Sequence, residues 1–153
     1  MKAVEVKVKT LPHYDESFDL PFYATEGAAG ADIRASTPEK KSMIIRPGER
    51  ALVPTGLSME IPFGFEIQVR PRSGLSLKSS LMVVNSPGTV DCDYRGEICV
   101  IIGNFGKEDY VIEHGLRIAQ LVLAPVVQAN YSLTNKLGET VRGEGGFGST
   151  GTK

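Results

Sequence analysis

Several short polar stretches interrupt an otherwise apolar, turn-punctuated chain, and each carries residue types that could do chemistry. Pro71-Arg-Ser-Gly-Leu75 offers a guanidinium at Arg72, a hydroxyl at Ser73 and an unobstructed backbone at Gly74. Placed where a helix is predicted to start, they outline an anion site. Gly30-Ala-Asp32 sets a carboxylate among small residues. Asn85-Ser-Pro-Gly-Thr-Val-Asp91 is predicted to form a hairpin, with the Asn85 amide and the backbone from Gly88 through Val90 facing a flat polar edge. Asp91 and Tyr94, a carboxylate and an aromatic ring, follow three residues apart. Taken singly, a cap, a turn or a surface charge explains each of these.

What is missing narrows the chemistry. There are two histidines, His13 beside Pro12 and His114 before Gly115, and both are expected to be surface turn residues. No His/Cys cluster has zinc spacing, so a general base here should be a carboxylate. Near the C-terminus, Gly143, Gly145 and Gly148 spell GxGxxG, and Gly143 to Ser149 nearly spells a phosphate-binding P-loop. Both mechanisms need a strand before the loop and a helix after it, and Ser149 stands at the lysine position. What survives is a backbone able to curl round phosphate oxygens, with hydroxyls from Ser149 and Thr150.

These residues need elements to position them, and the pattern predicts an all-β chain. Val4–Lys9 alternates apolar and polar. Short β-rich runs recur at 42–45, 51–53, 65–70, 81–84, 97–102, 110–112 and 118–127, separated by Pro and Gly. One short helix is expected over Ser73–Ser80, with Ser73 as a possible cap. Many short strands with frequent turns indicate a distorted antiparallel barrel or jelly roll. The core is expected over residues 1–134. Residues 135–153 form a polar, Gly-rich arm that cannot bury enough surface to fold alone. Arg142 and Phe147, an isolated charge and an isolated ring, suit an arm that orders over a ligand.

The chain of 153 residues, 41% apolar, fits one domain with a real core. Its net charge is −1 and no basic run exceeds Lys40-Lys41, which argues against a nucleic-acid surface. No apolar stretch approaches the roughly 18 residues of a membrane span. Met1–Val6 alternates like a strand rather than a secretory leader. Two cysteines, Cys92 and Cys99, lack CxxC spacing and are expected as free thiols in the cytoplasm.

Five ordered blocks resemble the homotrimeric dUTPases. They are Ala29–Ala35, Pro71–Lys78, Gly88–Glu97, Gly115–Gln120 and Arg142–Gly151, covering the chain from about Ala24 to its end. The resemblance implies hydrolysis of dUTP to dUMP and pyrophosphate, with Mg2+ on the triphosphate. Asp91 would activate the attacking water and contact the sugar 3′-OH. Tyr94 would pack against deoxyribose and leave no room for a 2′-OH. Asn85 and the backbone at Gly88 and Val90 would read uracil, while Arg72, Ser73, Gly74 and Gln120 would contact phosphates. Asp32 would hold Mg2+ through water. From the arm, Phe147 would stack over uracil, and Arg142, Gly148, Ser149 and Thr150 would contact the outer phosphates. The family further implies a homotrimer with sites shared between subunits. Leu116 and Ala31 depart from the family pattern at positions that affect packing rather than chemistry.

Two alternatives remain at this stage. A dCTP deaminase of the same fold would need a catalytic glutamate. Glu66, Glu97 and Glu113 are available, but strand-surface charge is the better reading of each. A non-catalytic nucleotide-binding module would be expected had one of the blocks decayed, and all five are filled.

Overall fold

A computed structural model describes residues 3–146. Phe147, Gly148, Ser149 and Thr150 lie outside the described residues. The elements run β1 (Lys7–Thr10), β2 (Phe22–Tyr23), β3 (Ala31–Arg34), β4 (Met43–Ile45), β5 (Arg50–Glu60) and β6 (Phe65–Arg70), then α1 (Ser73–Lys78), β7 (Leu81–Val83), β8 (Gly88–Val90), β9 (Glu97–Asn104), β10 (Tyr110–Ile112) and β11 (Arg117–Pro125). Pairing is antiparallel throughout. One sheet has the order β1-β5-β9-β7, a second β2-β3-β11-β6-β8, and β4 pairs with β10 alone. The fold is all-β, of jelly-roll type, with one short helix.

Period-two alternation sorts strands such as β6 and β9 into a core face and an outer face. In β9, Ile98, Val100 and Ile102 are buried while Glu97, Cys99 and Ile101 are half-exposed. In β6, Ile67 and Val69 point inward, and Gln68 and Arg70 take the other side. Both sheets send these apolar residues into one cluster with Ile33, Val53, Ile118 and Leu121. Burying each such side chain stabilises the fold by roughly 1.5–3 kcal/mol before entropy is counted.

Several expectations need correction. β1 begins at Lys7 rather than Val4. β5 extends through Pro54 and Gly56, which local punctuation had marked as its end. Its pairing with β9 shifts register between Pro54 and Ser58, a bulge in which these residues are tolerated. Gly56 has φ +70°, and a Cβ there would lie 2.8 Å from Tyr14 Cα. The predicted hairpin over 85–91 is instead a crossover, because β7 pairs with β9 in one sheet and β8 with β6 in the other. The residue capping α1 is Arg72, without a side-chain cap bond, so Ser73 is the first helical residue and not the cap.

Both histidines stand in turns, as expected, but they are half-buried and hydrogen-bonded rather than free at the surface. His114 Nδ1 accepts from the Thr37 backbone N–H at 3.1 Å, so the ring proton sits on Nε2, 3.1 Å from Asp15 Oδ2. The Phe18 ring lies 5.0 Å from this imidazole. Lys40 reaches the same carboxylate at 2.6 Å. That ammonium first, then the Ser17 donors, hold Asp15 well below the usual carboxylate range. The cluster fastens segment 11–18 to the barrel.

Candidate active site

The crossover and the outer face of β9 together enclose a cleft of about 260 Å³, lined by Asn85, Val90, Asp91, Tyr94 and Glu97 among others. Asn85 rides on the link between sheets. A Cβ at Gly88 would stand 3.2 Å from the Asn85 amide nitrogen and 3.3 Å from Val69 Cβ, so this buried glycine lets the amide close down on the strand. Asp91 leaves β8 exposed, at the mouth. The Tyr94 hydroxyl donates to the Glu97 carbonyl at 3.0 Å.

Glu97 is not the strand-surface charge expected. The register shift in β5 leaves the Thr55 and Gly56 amides without strand partners, and Glu97 Oε1 accepts both, at 3.0 and 2.7 Å. His13 Nε2 approaches the same oxygen at 2.8 Å. The carboxylate is therefore a fixture of the cleft wall. Beside it, burial pushes the Cys99 thiol up to about 11, with the Glu97 charge adding to the effect.

A second concavity, about 520 Å³, is lined by Asp32, Arg70, Arg72, Ser73, Gly74, Arg117 and Gln120. Strand register builds it. Gln120 of β11 faces Asp32 of β3 on one side and Arg70 of β6 on the other, so three polar side chains share one row across the sheet. Arg72 Nε donates to Asp32 Oδ1 at 2.7 Å and Arg117 Nη1 to Oδ2 at 3.0 Å. Gln120 Nε2 donates to the Pro71 carbonyl at 2.9 Å. A Cβ at Gly30 would come within 2.9 Å of Gln120 Cδ, so the amide lies flat only over glycine. At Gly74 a Cβ would meet nothing within 4 Å, which leaves open space over the backbone. Three guanidinia against one carboxylate make this basin cationic, suited to a polyanion.

The structure thus brings Asn85, Gly88, Val90, Asp91 and Tyr94 together, and separately Asp32, Arg72, Ser73, Gly74 and Gln120. Within one chain the cleft and the basin share no lining residue. Arg142 joins neither; on the arm, its Nε donates to the Gly145 carbonyl at 2.8 Å. No cluster of three or more His, Cys, Asp or Glu able to hold a metal occurs among the described residues. Asp32 is the one carboxylate lining the basin, and both its oxygens already accept from arginine. That donor set fits a hard cation held mainly by phosphates and water, with Asp32 acting at one remove. Arg70, Arg117 and Glu97 carry roles that had not been assigned from sequence. Arg117 lay inside a recognised block, but its partner is 85 positions away.

The dUTPase family model matches residues 16–151, nearly the whole chain. This chain belongs to the dUTPase family. A deoxyuridine 5′-triphosphate nucleotidohydrolase from Roseobacter denitrificans is 56% identical over 151 residues, covering 99% of each chain. That from Rhizobium meliloti is 57% identical over 143 residues, covering 94% of this chain and 89% of its own. Among solved structures, the Staphylococcus bacteriophage 80alpha dUTPase with dUPNHPP is similar, with a TM-score of 0.84 and 26% identity. The match covers 97% of this chain and 99% of the phage chain. As a dUTPase the chain is a dUTP diphosphatase, and its reaction is the hydrolysis of dUTP.

Proposed function

We propose that the cleft takes the deoxyuridine of dUTP and the basin its triphosphate, the two being supplied by different copies of a homotrimer. The observation that carries this is the separation itself. Base-reading and phosphate-binding residues form two concavities that one chain keeps apart. Subunit association has a candidate surface on the outer face of the β1-β5-β9-β7 sheet. There Leu52, Met82, Val84 and Phe105 are 61, 50, 46 and 66% exposed, an apolar patch of the kind that marks interfaces.

In this arrangement a water attacks the α-phosphorus, its proton passes to Asp91, and the bond to the β-bridging oxygen breaks to release pyrophosphate and dUMP. Asp91 also accepts from the 3′-OH, fixing sugar and base catalyst together. Tyr94 packs against deoxyribose and bars a 2′-OH. Asn85 and the backbone at Gly88 and Val90 pair with the uracil edge, so cytosine would leave buried polar groups unpaired. Arg72, Ser73, Gly74 and Gln120 hold phosphate oxygens against developing charge. Mg2+, bound to the phosphates and held by Asp32 through water, would supply charge neutralisation. The arm closes the site, with Phe147 over uracil and Arg142, Gly148, Ser149 and Thr150 on the outer phosphates. Removing dUTP keeps uracil out of DNA, and the dUMP released supplies dTMP synthesis.

The deciding experiment is pyrophosphate release from dUTP, dCTP, dTTP and UTP with Mg2+, comparing the parent with Asp91→Asn. Expected is dUTP-selective release, with kcat lowered on the order of 10²–10⁴-fold in the variant and dUTP binding retained. Unchanged kcat in Asp91→Asn would remove this residue as base, and ammonia from dCTP would indicate a deaminase. Glu97, the glutamate in the cleft a deaminase would need, has one oxygen already taken by two backbone amides and His13.

A further inference from the structure

Gly96 lies two residues after Tyr94, and the Tyr94 ring folds back across it. A Cβ at residue 96 would stand 2.6 Å from Tyr94 Cζ and 3.0 Å from Cε2, closer than packed atoms approach. The backbone does not demand glycine here, because Gly96 is not among the residues with positive φ. The obstructing atoms form the outer end of a side chain that is 47% exposed. Adding a methyl would therefore turn the ring outward and leave the fold alone. Once displaced, Tyr94 would lose the hydrogen bond from its hydroxyl to the Glu97 carbonyl. That carbonyl is itself well fixed, since the Glu97 side chain is held by Thr55 and Gly56 across the β5 bulge.

We infer that Gly96 is a positioning residue for sugar selection. Its missing side chain seats the Tyr94 ring at the height where it excludes a ribose 2′-OH, and the Glu97 carbonyl pins the ring there. This rests on the reading that Tyr94 packs against deoxyribose, and the test keeps the two apart.

Steady-state kcat and KM for dUTP and UTP are measured in the parent, Gly96→Ala, Tyr94→Ala and the double variant, with thermal unfolding of each. Each single variant is expected to lower the dUTP-to-UTP ratio of kcat/KM by about tenfold or more, through a raised dUTP KM and improved use of UTP. Gly96→Ala should unfold within a few degrees of the parent, and in the Tyr94→Ala background it should change the ratio by less than about twofold. Selectivity lost in Tyr94→Ala but kept in Gly96→Ala overturns the seat alone. An additional tenfold loss in the double variant, or a Gly96→Ala protein that does not fold, also overturns it. Selectivity unchanged in Tyr94→Ala overturns the sugar-wall reading, and the seat with it.

Discussion

The cleft and the basin solve their positioning problems by different means. In the cleft, backbone geometry does most of the placing. A crossover carries Asn85, a tight strand carries Gly88 and Val90, and Glu97 is spent on amides that a bulge left over. In the basin, side chains place one another, with Arg72 and Arg117 gripping the two oxygens of Asp32 and Gln120 tied to Pro71. A site proposed to refuse a single hydroxyl needs rigid walls. One that must gather negative charge can rely on cations that adjust.

The largest expected effect comes from removing the arm that is proposed to close over both. A chain ending at Val141 should fold and associate as the parent does, yet lose hydrolysis on the order of a hundredfold, because closure aligns base and phosphates. Light scattering at micromolar protein reads assembly and pyrophosphate release reads activity. Full activity in the shortened chain would sink the closing role, and a monomeric mass for the parent would sink the shared site.

Arg72→Ala should come next, lowering kcat/KM for dUTP by about tenfold to a hundredfold, since it removes a phosphate contact and frees one oxygen of Asp32. The dUTP-to-UTP ratio should stay put if sugar selection is confined to the cleft, as proposed. A changed ratio would mean that the halves are not separable. Gly30→Ala is a milder probe of the basin, displacing the Gln120 amide; a few-fold rise in KM with selectivity intact is expected. An unchanged KM would remove Gln120 from the phosphate contacts.

The smallest effect lies outside both halves. The Asp15 pKa is depressed in the folded state, so its contribution is present in full above its ordinary value of 3.8 and drains away as the pH falls towards its folded value. Urea unfolding at pH 5 and pH 3 should show the parent losing more stability than Asp15→Asn over that interval. Equal losses would show that the cluster around His114 does not depend on this charge.

A strand that alternates cleanly, such as Phe65–Arg70, was legible because its pattern is local. β5 was not, since Pro54 and Gly56 look like breakers until the bulge and Tyr14 are in place. The same limit hid Glu97 and His114, whose partners lie 42 and 99 positions away. A carboxylate that satisfies stray amides has the same local sequence signature as one facing water. Of the candidate site, residue types and order were readable from the blocks. Their division into two concavities was not, because it follows from register across β3, β11 and β6 and from which sheet receives β8.

That last choice has a consequence for how the chain can vary in length. Val84–Pro87 leaves β7 in one sheet and enters β8 in the other, with ladder pairing fixed on both sides. Most surface loops absorb an inserted residue at little cost. Here one extra residue would have to be taken up by slipping a strand, which reverses the faces of its side chains, or by lifting Asn85 away from Asp91. Insertions and deletions should therefore accumulate in stretches such as 126–141, and the four-residue link should behave as a fixed-length spacer.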